Sequence, residues 1–180
     1  FALAIACWGV PDGQGLALLD APPTSALEAA RTTLGWLGAL GKDGRVTERG
    51  RAMAEVGAHP RLARALLDGT RAVGATRAAQ IVALLSEDGV HEGRDDLLET
   101  WRALRNGSHR KAASWRDEVN RLRSSPRSRS FATTNTPGVQ AKSLSDDLAA
   151  AHVIALAFPE RIARARAHGS GAFLMAGGTA

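Results

Sequence analysis

The sequence has one cysteine, no tyrosine and few aromatic residues, which make up 4% of its 180 residues. A single cysteine, Cys7, cannot form an intramolecular disulfide, so a disulfide-stapled secreted domain is excluded and the cytoplasm is the expected compartment. Hydrophobic residues reach 44%, and alanine and leucine dominate them, which favours packed helices over a β-sandwich. The sequence therefore predicts a mainly α protein with a core of its own.

Long apolar runs and nucleotide-binding motifs are also missing. The longest apolar run, residues 1–10, is too short to span a bilayer and lacks the basic flank of a signal peptide. There is no Gly-rich phosphate loop with Lys-Ser/Thr and no Asp-Glu-Ala-His box, so we expect the chain alone to bind no cofactor and to hydrolyse no ATP. Because it starts on Phe1 and stops after a glycine-rich end, we expect it to be a piece of a longer protein.

Metal-binding spacing is absent as well. Five histidines are scattered along the chain, and one cysteine cannot complete a zinc site. We therefore predict no catalytic residue and no metal site, and interpret the histidines as ordinary surface or packing residues: His59, His91, His109, His152 and His168.

What the sequence does contain is a corner between two helices at residues 47–67, TERGRAMAEVGAHPRLARALL. Thr47 is a good N-cap for the first helix. The residue before Pro60 is disfavoured in the α region, and proline suits the first turn of a new helix, so a second helix is expected from there. Leu66 and Leu67 lie on its apolar face, and we expect them to be buried at a junction of two domains.

The half before this corner predicts a helix, a small hairpin and a second helix. A helix is expected from Thr24 or Ser25 to Gly38, with Ser25 and Glu28 forming a capping box. The Asp43-Gly44 pair between two short apolar segments suggests a β-hairpin. Together these elements predict a winged-helix-like unit of about sixty residues, a size that suits a small domain.

The half after Pro60 is predicted to be helical. Apolar periodicity places helices near 61–73, 77–86, 96–105 and 109–123, and a Ser145 cap begins one more, with Leu148, Ala151, Ile154 and Ala155 facing inward. The segment 124–142 has little periodicity and is expected to form a mobile loop. Residues 171–175, GAFLM, are typical of a strand.

Positive charge is concentrated in one stretch of this half. Residues 102–129 hold nine Arg or Lys against two acidic residues, a net +7, whereas the rest of the chain sums to −2. Such a stretch is either a solvated helix face or a path for nucleic-acid phosphates that are bound without reading bases. The candidate nucleic-acid-binding residues are Arg102, Arg105, Arg110, Lys111, Arg116, Arg121 and Arg123.

Two tryptophans lie within or beside these arginines. Trp101 and Trp115 could stack on bases, but their spacing with Leu104, Val119 and Leu122 favours core packing. The helix after Thr47 occupies the place of a recognition helix, yet it mixes carboxylates with arginines, so a structural role is expected.

The order of motifs resembles the region that follows the motor in DEAH-box helicases. The motifs are Leu-Gly-Ala-Leu at 37–40, Thr-x-x-Gly at 47–50, Pro-x-Leu-Ala-x-x-Leu at 60–66 and IVALLSE at 81–87, which is similar to the ratchet helix. Phe-Pro-x-Arg-Ile-Ala at 158–163, followed by Gly-x-x-Leu, is similar to the bacterial HrpB branch.

The resemblance implies three domains: a winged-helix-like domain at 1–59 with a preceding linker helix, a helicase-associated ratchet domain at 60–158, and the first strand of a C-terminal β domain at 159–180. It implies an accessory region of an ATP-dependent RNA helicase that braces the RecA-like motor domains and lines the channel for single-stranded RNA or DNA. ATP and Mg²⁺ are then expected for the intact enzyme. The alternatives are a non-enzymatic winged-helix nucleic-acid-binding or regulatory protein, and a protein-interaction scaffold.

Overall fold

The structure, a computed structural model, describes residues 1–87, 96–125, 144–166 and 173–175. It is mainly helical, as predicted, and the chain divides into two compact units, Phe1–Arg64 and Ala65–Ala180. The helices are α1 (Ala2–Cys7), α2 (Thr24–Trp36), α3 (Glu48–Val56), α4 (Pro60–Val73), α5 (Ala75–Ser86), α6 (Leu97–Asn106), α7 (Ala112–Ser124) and α8 (Asp146–Ala157). A 3-10 turn (Pro159–Arg161) and two strands, β1 (Ala163–Ala165) and β2 (Phe173–Met175), follow.

In the first unit, α1 packs against α2 and α3. The large side chains buried in this unit come from α1 to α4 and from the segment after α2: Leu3, Ile5, Leu34, Leu37, Leu40, Met53, Val56 and Leu62. Helix α2 begins directly after Pro23, and no side chain caps it. The capping box predicted at Ser25 is therefore wrong, because the helix starts at Thr24 with Pro23 as its N-cap and leaves Ser25 inside the first turn.

The predicted hairpin is reduced to one antiparallel bridge between Leu40 and Val46. The Asp43 carboxylate accepts from the N–H of Arg45 at 3.1 Å, and Gly44 has φ +74°. Asp43 and Gly44 thus form a turn, as the Asp-Gly pair indicated. The paired segments are too short to count as strands.

Helix α3 is tied at its start to the segment after α2. The Thr47 hydroxyl accepts from the N–H of Gly50 at 2.9 Å, which caps the helix as predicted, and donates to the carbonyl of Gly38 at 2.8 Å. The N–H of Thr47 donates to the carbonyl of Ala39 at 3.0 Å. The first of these hydrogen bonds caps α3, and the other two hold its N-terminus against the chain at residues 38–39.

Thr47→Ala is expected to destabilise the first unit by about 1–2 kcal/mol, since it removes the cap and leaves a part-buried carbonyl without its donor. Thr47→Ser keeps the hydroxyl and is expected to cost less than about 0.5 kcal/mol. Urea unfolding followed by circular dichroism measures both. A serine variant as unstable as the alanine variant would show that the methyl group, not the hydrogen bonds, matters.

The second unit is organised around α5, which packs against α6, α7 and α8. Helix α5 is buried on most sides, and its buried residues are Ala78, Ala79, Ile81, Val82, Ala83 and Leu84. Leu66 and Leu67 of α4 are each 1% exposed, so their predicted burial is confirmed. The inner faces predicted for α6 and α7 are confirmed by Trp101, Leu104, Trp115, Val119 and Leu122, which are all buried.

The inner face predicted for α8 is wrong. Leu148 is 59% exposed, whereas the buried residues are Ala149, Ala150, Val153 and Ala157. Val153 lies against Gly69 of α4, because a Cβ added to that glycine would meet Val153 Cγ2 at 3.1 Å. Most residues of this helix are apolar, so periodicity could not specify which face is buried. The buried face is the one that lies close to Gly69.

Residues 173–175 of the predicted strand form β2, and residues 171–172 lie outside the described residues. Strand β2 pairs antiparallel with β1, which was not predicted. Ala163 pairs with Met175 and Ala165 with Phe173. Apart from Ser124 and Ser125, the mobile loop predicted at 124–142 lies outside the described residues.

Candidate nucleic-acid interface

The seven candidate residues lie on α6, on α7 and on the loop that joins them. The structure does not gather all seven on one surface. Three of them line one cleft, three others pair with carboxylates away from it, and Arg110 lies on the loop outside the cleft.

The cleft lies between α5, α6 and α7 and has a volume of about 300 Å³. We call it the basic cleft. Its lining residues are Thr76, Gln80, Arg105, Trp115, Arg116, Val119, Asn120 and Arg123. Three of these are arginines, three carry neutral polar groups, and no carboxylate is among the lining residues described.

Helix α7 supplies most of the polar lining because of its periodicity. Arg116, Asn120 and Arg123 are spaced i, i+4 and i+7, which places them on one face of the helix. Trp115 fixes that helix against α5, since its buried indole Nε1–H donates to the carbonyl of Gln80 at 3.1 Å. The arginines therefore stand on a helix that is anchored to the core.

Arg116 and Arg123 have no carboxylate partner in the part of the chain that the structure describes. A Cβ added to Gly107 would lie 3.0 Å from Nη2 of Arg116. This guanidinium therefore lies against the C-terminal end of α6, where the carbonyl groups of the helix favour a cation. Its charge is not cancelled by a neighbouring acid.

Arg105 lies at one edge of the cleft and contacts Asp146 at the start of α8. Its Nη1 donates to Oδ2 of Asp146, while Nε of Arg77 lies 3.4 Å from Oδ1 of the same carboxylate. The Arg105 guanidinium also stacks over the ring of Trp101, 5.1 Å from its centroid. One carboxylate thus holds two arginines, from α5 and from α6.

Three other candidates are held by carboxylates away from the cleft. Arg102 pairs with Asp147 at 3.1 Å and Lys111 with Glu87 at 3.6 Å. Arg121 donates two hydrogen bonds of 2.7 Å to Glu118, which raise the pKa of that guanidinium above its ordinary value.

The remaining candidate, Arg110, is exposed and is not part of the cleft lining. It lies on the loop between α6 and α7.

The core interpretation of the two tryptophans is confirmed. Trp101 is 0% exposed and Trp115 is 2% exposed, so neither offers a ring face on which a base could stack. The exposed tryptophans are Trp8 and Trp36 in the first unit.

Sequence reasoning missed the neutral polar groups of the cleft. Thr76 and Gln80 lie one helical turn apart on α5, and Asn120 lies between two arginines on α7. The i, i+4, i+7 spacing of polar residues on α7 was a signal that could have found the last of them. The residues from α5 could not be found in this way, because only the packing of α5 on α7 brings them to the arginines.

The histidines that the structure describes are consistent with ordinary roles. Nδ1 of His59 accepts from the N–H of Arg61 at 3.3 Å, and burial lowers the pKa of the imidazole. In the described ranges no three His, Cys, Asp or Glu residues are grouped as a metal site would require. None of the described helices has the length and apolar character that crossing a membrane demands.

Comparison with known proteins finds two similarities of sequence. Residues 30–56, which run from α2 through the bridge to α3, match the family described as helicase associated domain (HA2), winged-helix. The ATP-dependent RNA helicase HrpB of Escherichia coli K12 is 32% identical over 175 residues, which cover 93% of this chain. The chain is therefore similar to one part of that helicase.

Solved structures show the same similarity. A crystal structure of the E. coli DExH-box NTPase HrpB matches 98% of this chain with a TM-score of 0.69 and 28% identity. A second, of the E. coli DEAH/RHA helicase HrpB, matches 98% with a TM-score of 0.60 and 29% identity. The chain spans 19% of the length of the curated relative.

Proposed function

We propose that this chain is the accessory C-terminal region of an ATP-dependent RNA helicase of the HrpB type, and that its basic cleft holds the backbone of single-stranded nucleic acid. The observation that carries the proposal is the convergence of Arg105, Arg116 and Arg123 on one cleft. Arginine on a rigid helix presents several N–H donors in a fixed geometry that suits phosphate. Thr76, Gln80 and Asn120 add neutral donors and acceptors suited to sugar and phosphate oxygens.

The cleft favours binding that is indifferent to sequence. Both neighbouring tryptophans are buried, so the stacking platforms that many single-strand binders use are missing from its described lining. Affinity then depends on charge neutralisation and should be weak and steeply salt-dependent.

In the intact protein, ATP and Mg²⁺ would be bound elsewhere, because no phosphate-loop motif occurs in these 180 residues. We propose that RecA-like motor domains of the same cytoplasmic protein supply the hydrolysis and that this segment braces them. The division into a winged-helix-like domain at 1–59, a ratchet domain at 60–158 and a β domain from 159 is part of the same proposal.

Replacing Arg105, Arg116 and Arg123 together with glutamine is expected to flatten the salt dependence of RNA binding. For single strands the slope of log K against log salt is roughly −0.7 per neutralised phosphate, so the slope should fall by about 2. The measurement is a fluorescence-anisotropy titration of the 180-residue chain with a short labelled oligouridylate at several salt concentrations.

The matched control replaces Arg102, Lys111 and Arg121 with glutamine. It removes the same formal charge from the same helices and loop, but from residues that already pair with Asp147, Glu87 and Glu118. We expect its slope to stay within about 0.7 of the parent slope, the contribution of one phosphate contact. Equal flattening by both triple variants would mean that diffuse charge, not the cleft, attracts RNA.

A further inference from the structure

The contact between Asp146 and the edge of the basic cleft has a consequence for binding. Asp146 stands at the first position of α8, which Ser145 caps. Its two carboxylate oxygens face arginines of two different helices, Arg77 and Arg105. The Asp146 carboxylate is therefore bound to an arginine of the cleft that would also bind a phosphate, and both groups are anions.

We propose that Asp146 is a built-in competitor for nucleic-acid phosphate, which holds Arg105 back until a strand displaces it. The inference rests on the proposed function of the basic cleft and adds a control of its affinity. Arg105 belongs to the cleft lining and to the ion pair at once. Its guanidinium can therefore pair fully with a phosphate only after it has left the Asp146 carboxylate.

The exchange is possible because the ion pair lies near the surface. The side chain of Arg105 is 43% exposed and that of Asp146 is 34% exposed. Pairs that water can reach are held weakly and are weakened further by salt. Asp146 would not be stranded by the loss of Arg105, since Arg77 remains beside it at 3.4 Å and is itself held by a 2.9 Å hydrogen bond to the carbonyl of Leu144.

Asp147 is a matched neighbour that lacks this property. It also lies in the first turn of α8, and it pairs with Arg102, which is not a lining residue of the cleft. Asp146→Asn and Asp147→Asn each remove one negative charge from the same helix end, so they should lower the melting midpoint by similar amounts. Only the first should change the binding of RNA through the cleft.

The test is the anisotropy titration with the labelled oligouridylate, performed on the parent chain, on D146N and on D147N. We expect D146N to steepen the slope of log K against log salt by about 0.7. The ratio of the D146N affinity to the parent affinity should then be about fivefold higher at 0.1 M salt than at 1 M. D147N should leave the slope unchanged. In an R105Q background the gain from D146N should disappear, because the released arginine is then missing.

The outcomes distinguish the proposed role of Asp146 from the proposed function of the basic cleft. Weaker or unchanged binding by D146N, in a chain whose cleft triple variant does lose its salt dependence, overturns the competitor and leaves the proposed function intact. A gain from D146N that persists in the R105Q background also overturns it. A parent chain that binds no RNA at low salt, or a cleft triple variant with an unchanged slope, overturns both.

Discussion

Replacing Trp101 with alanine is expected to destabilise the second unit by about 3–5 kcal/mol. The side chain is 0% exposed and lies on the buried face of α6 beside Thr100 and Leu104. Its removal leaves a large cavity and takes away the ring on which Arg105 stacks. Urea unfolding followed by far-UV circular dichroism measures the loss.

Phenylalanine variants separate packing from hydrogen bonding. Nε1 of Trp101 has no hydrogen-bond partner in the described ranges, whereas Nε1 of Trp115 donates to Gln80 at 3.1 Å. Trp101→Phe therefore removes only side-chain volume from the core. Trp115→Phe should lower the free energy of unfolding by about 1 kcal/mol more, because it also removes one hydrogen bond. An alanine variant at Trp101 within about 1 kcal/mol of the parent, the cost of an average substitution, would contradict the assignment of this residue to the core.

Replacing Gly50 with alanine is expected to destabilise the first unit by about 3 kcal/mol or more. A Cβ at this position would lie 2.2 Å from the carbonyl oxygen of Ala39 and 2.8 Å from Cγ2 of Val46. Helix α3 cannot easily move away, because Thr47 ties it to the same segment. The measurement is urea unfolding followed by far-UV circular dichroism.

The control for Gly50 is Gly35 in α2. A Cβ added there meets nothing within 4 Å, so Gly35→Ala should follow helix propensity and stabilise the unit by about 0.5–1 kcal/mol. The same chemical change is thus expected to have opposite signs at two helical positions. If Gly50→Ala also stabilised the protein, the close approach of α3 to Ala39 would be disproved.

Gly50 also explains one motif of the family resemblance in physical terms. The Thr47 hydroxyl caps α3. Because Gly50 has no side chain, the start of the helix can lie close to the carbonyl group of Ala39. The Thr-x-x-Gly spacing was visible in the sequence, but the sequence could not show what the glycine approaches. The reason is that Ala39 lies eight residues before Thr47, beyond the bridge between Leu40 and Val46.

The candidate site was only partly predictable for a similar reason. The +7 stretch marked the region, and the periodicity of α7 placed Arg116 and Arg123 on one face. Arg121 pairs with Glu118 three residues away, but the arginines of α6 pair with acids that are distant in sequence. Asp146 and Asp147 reach α6 only after the chain has returned as α8.

Local periodicity and turn chemistry were enough to predict the mainly α fold, the position of most helices, the cap at Thr47 and the buried faces of α6 and α7. They could not predict the buried face of α8, the β1 pairing or the division of the arginines between the basic cleft and ion pairs. Those features depend on which helices approach each other closely. A uniformly apolar helix and a run of like charges carry no periodic signal that specifies a partner.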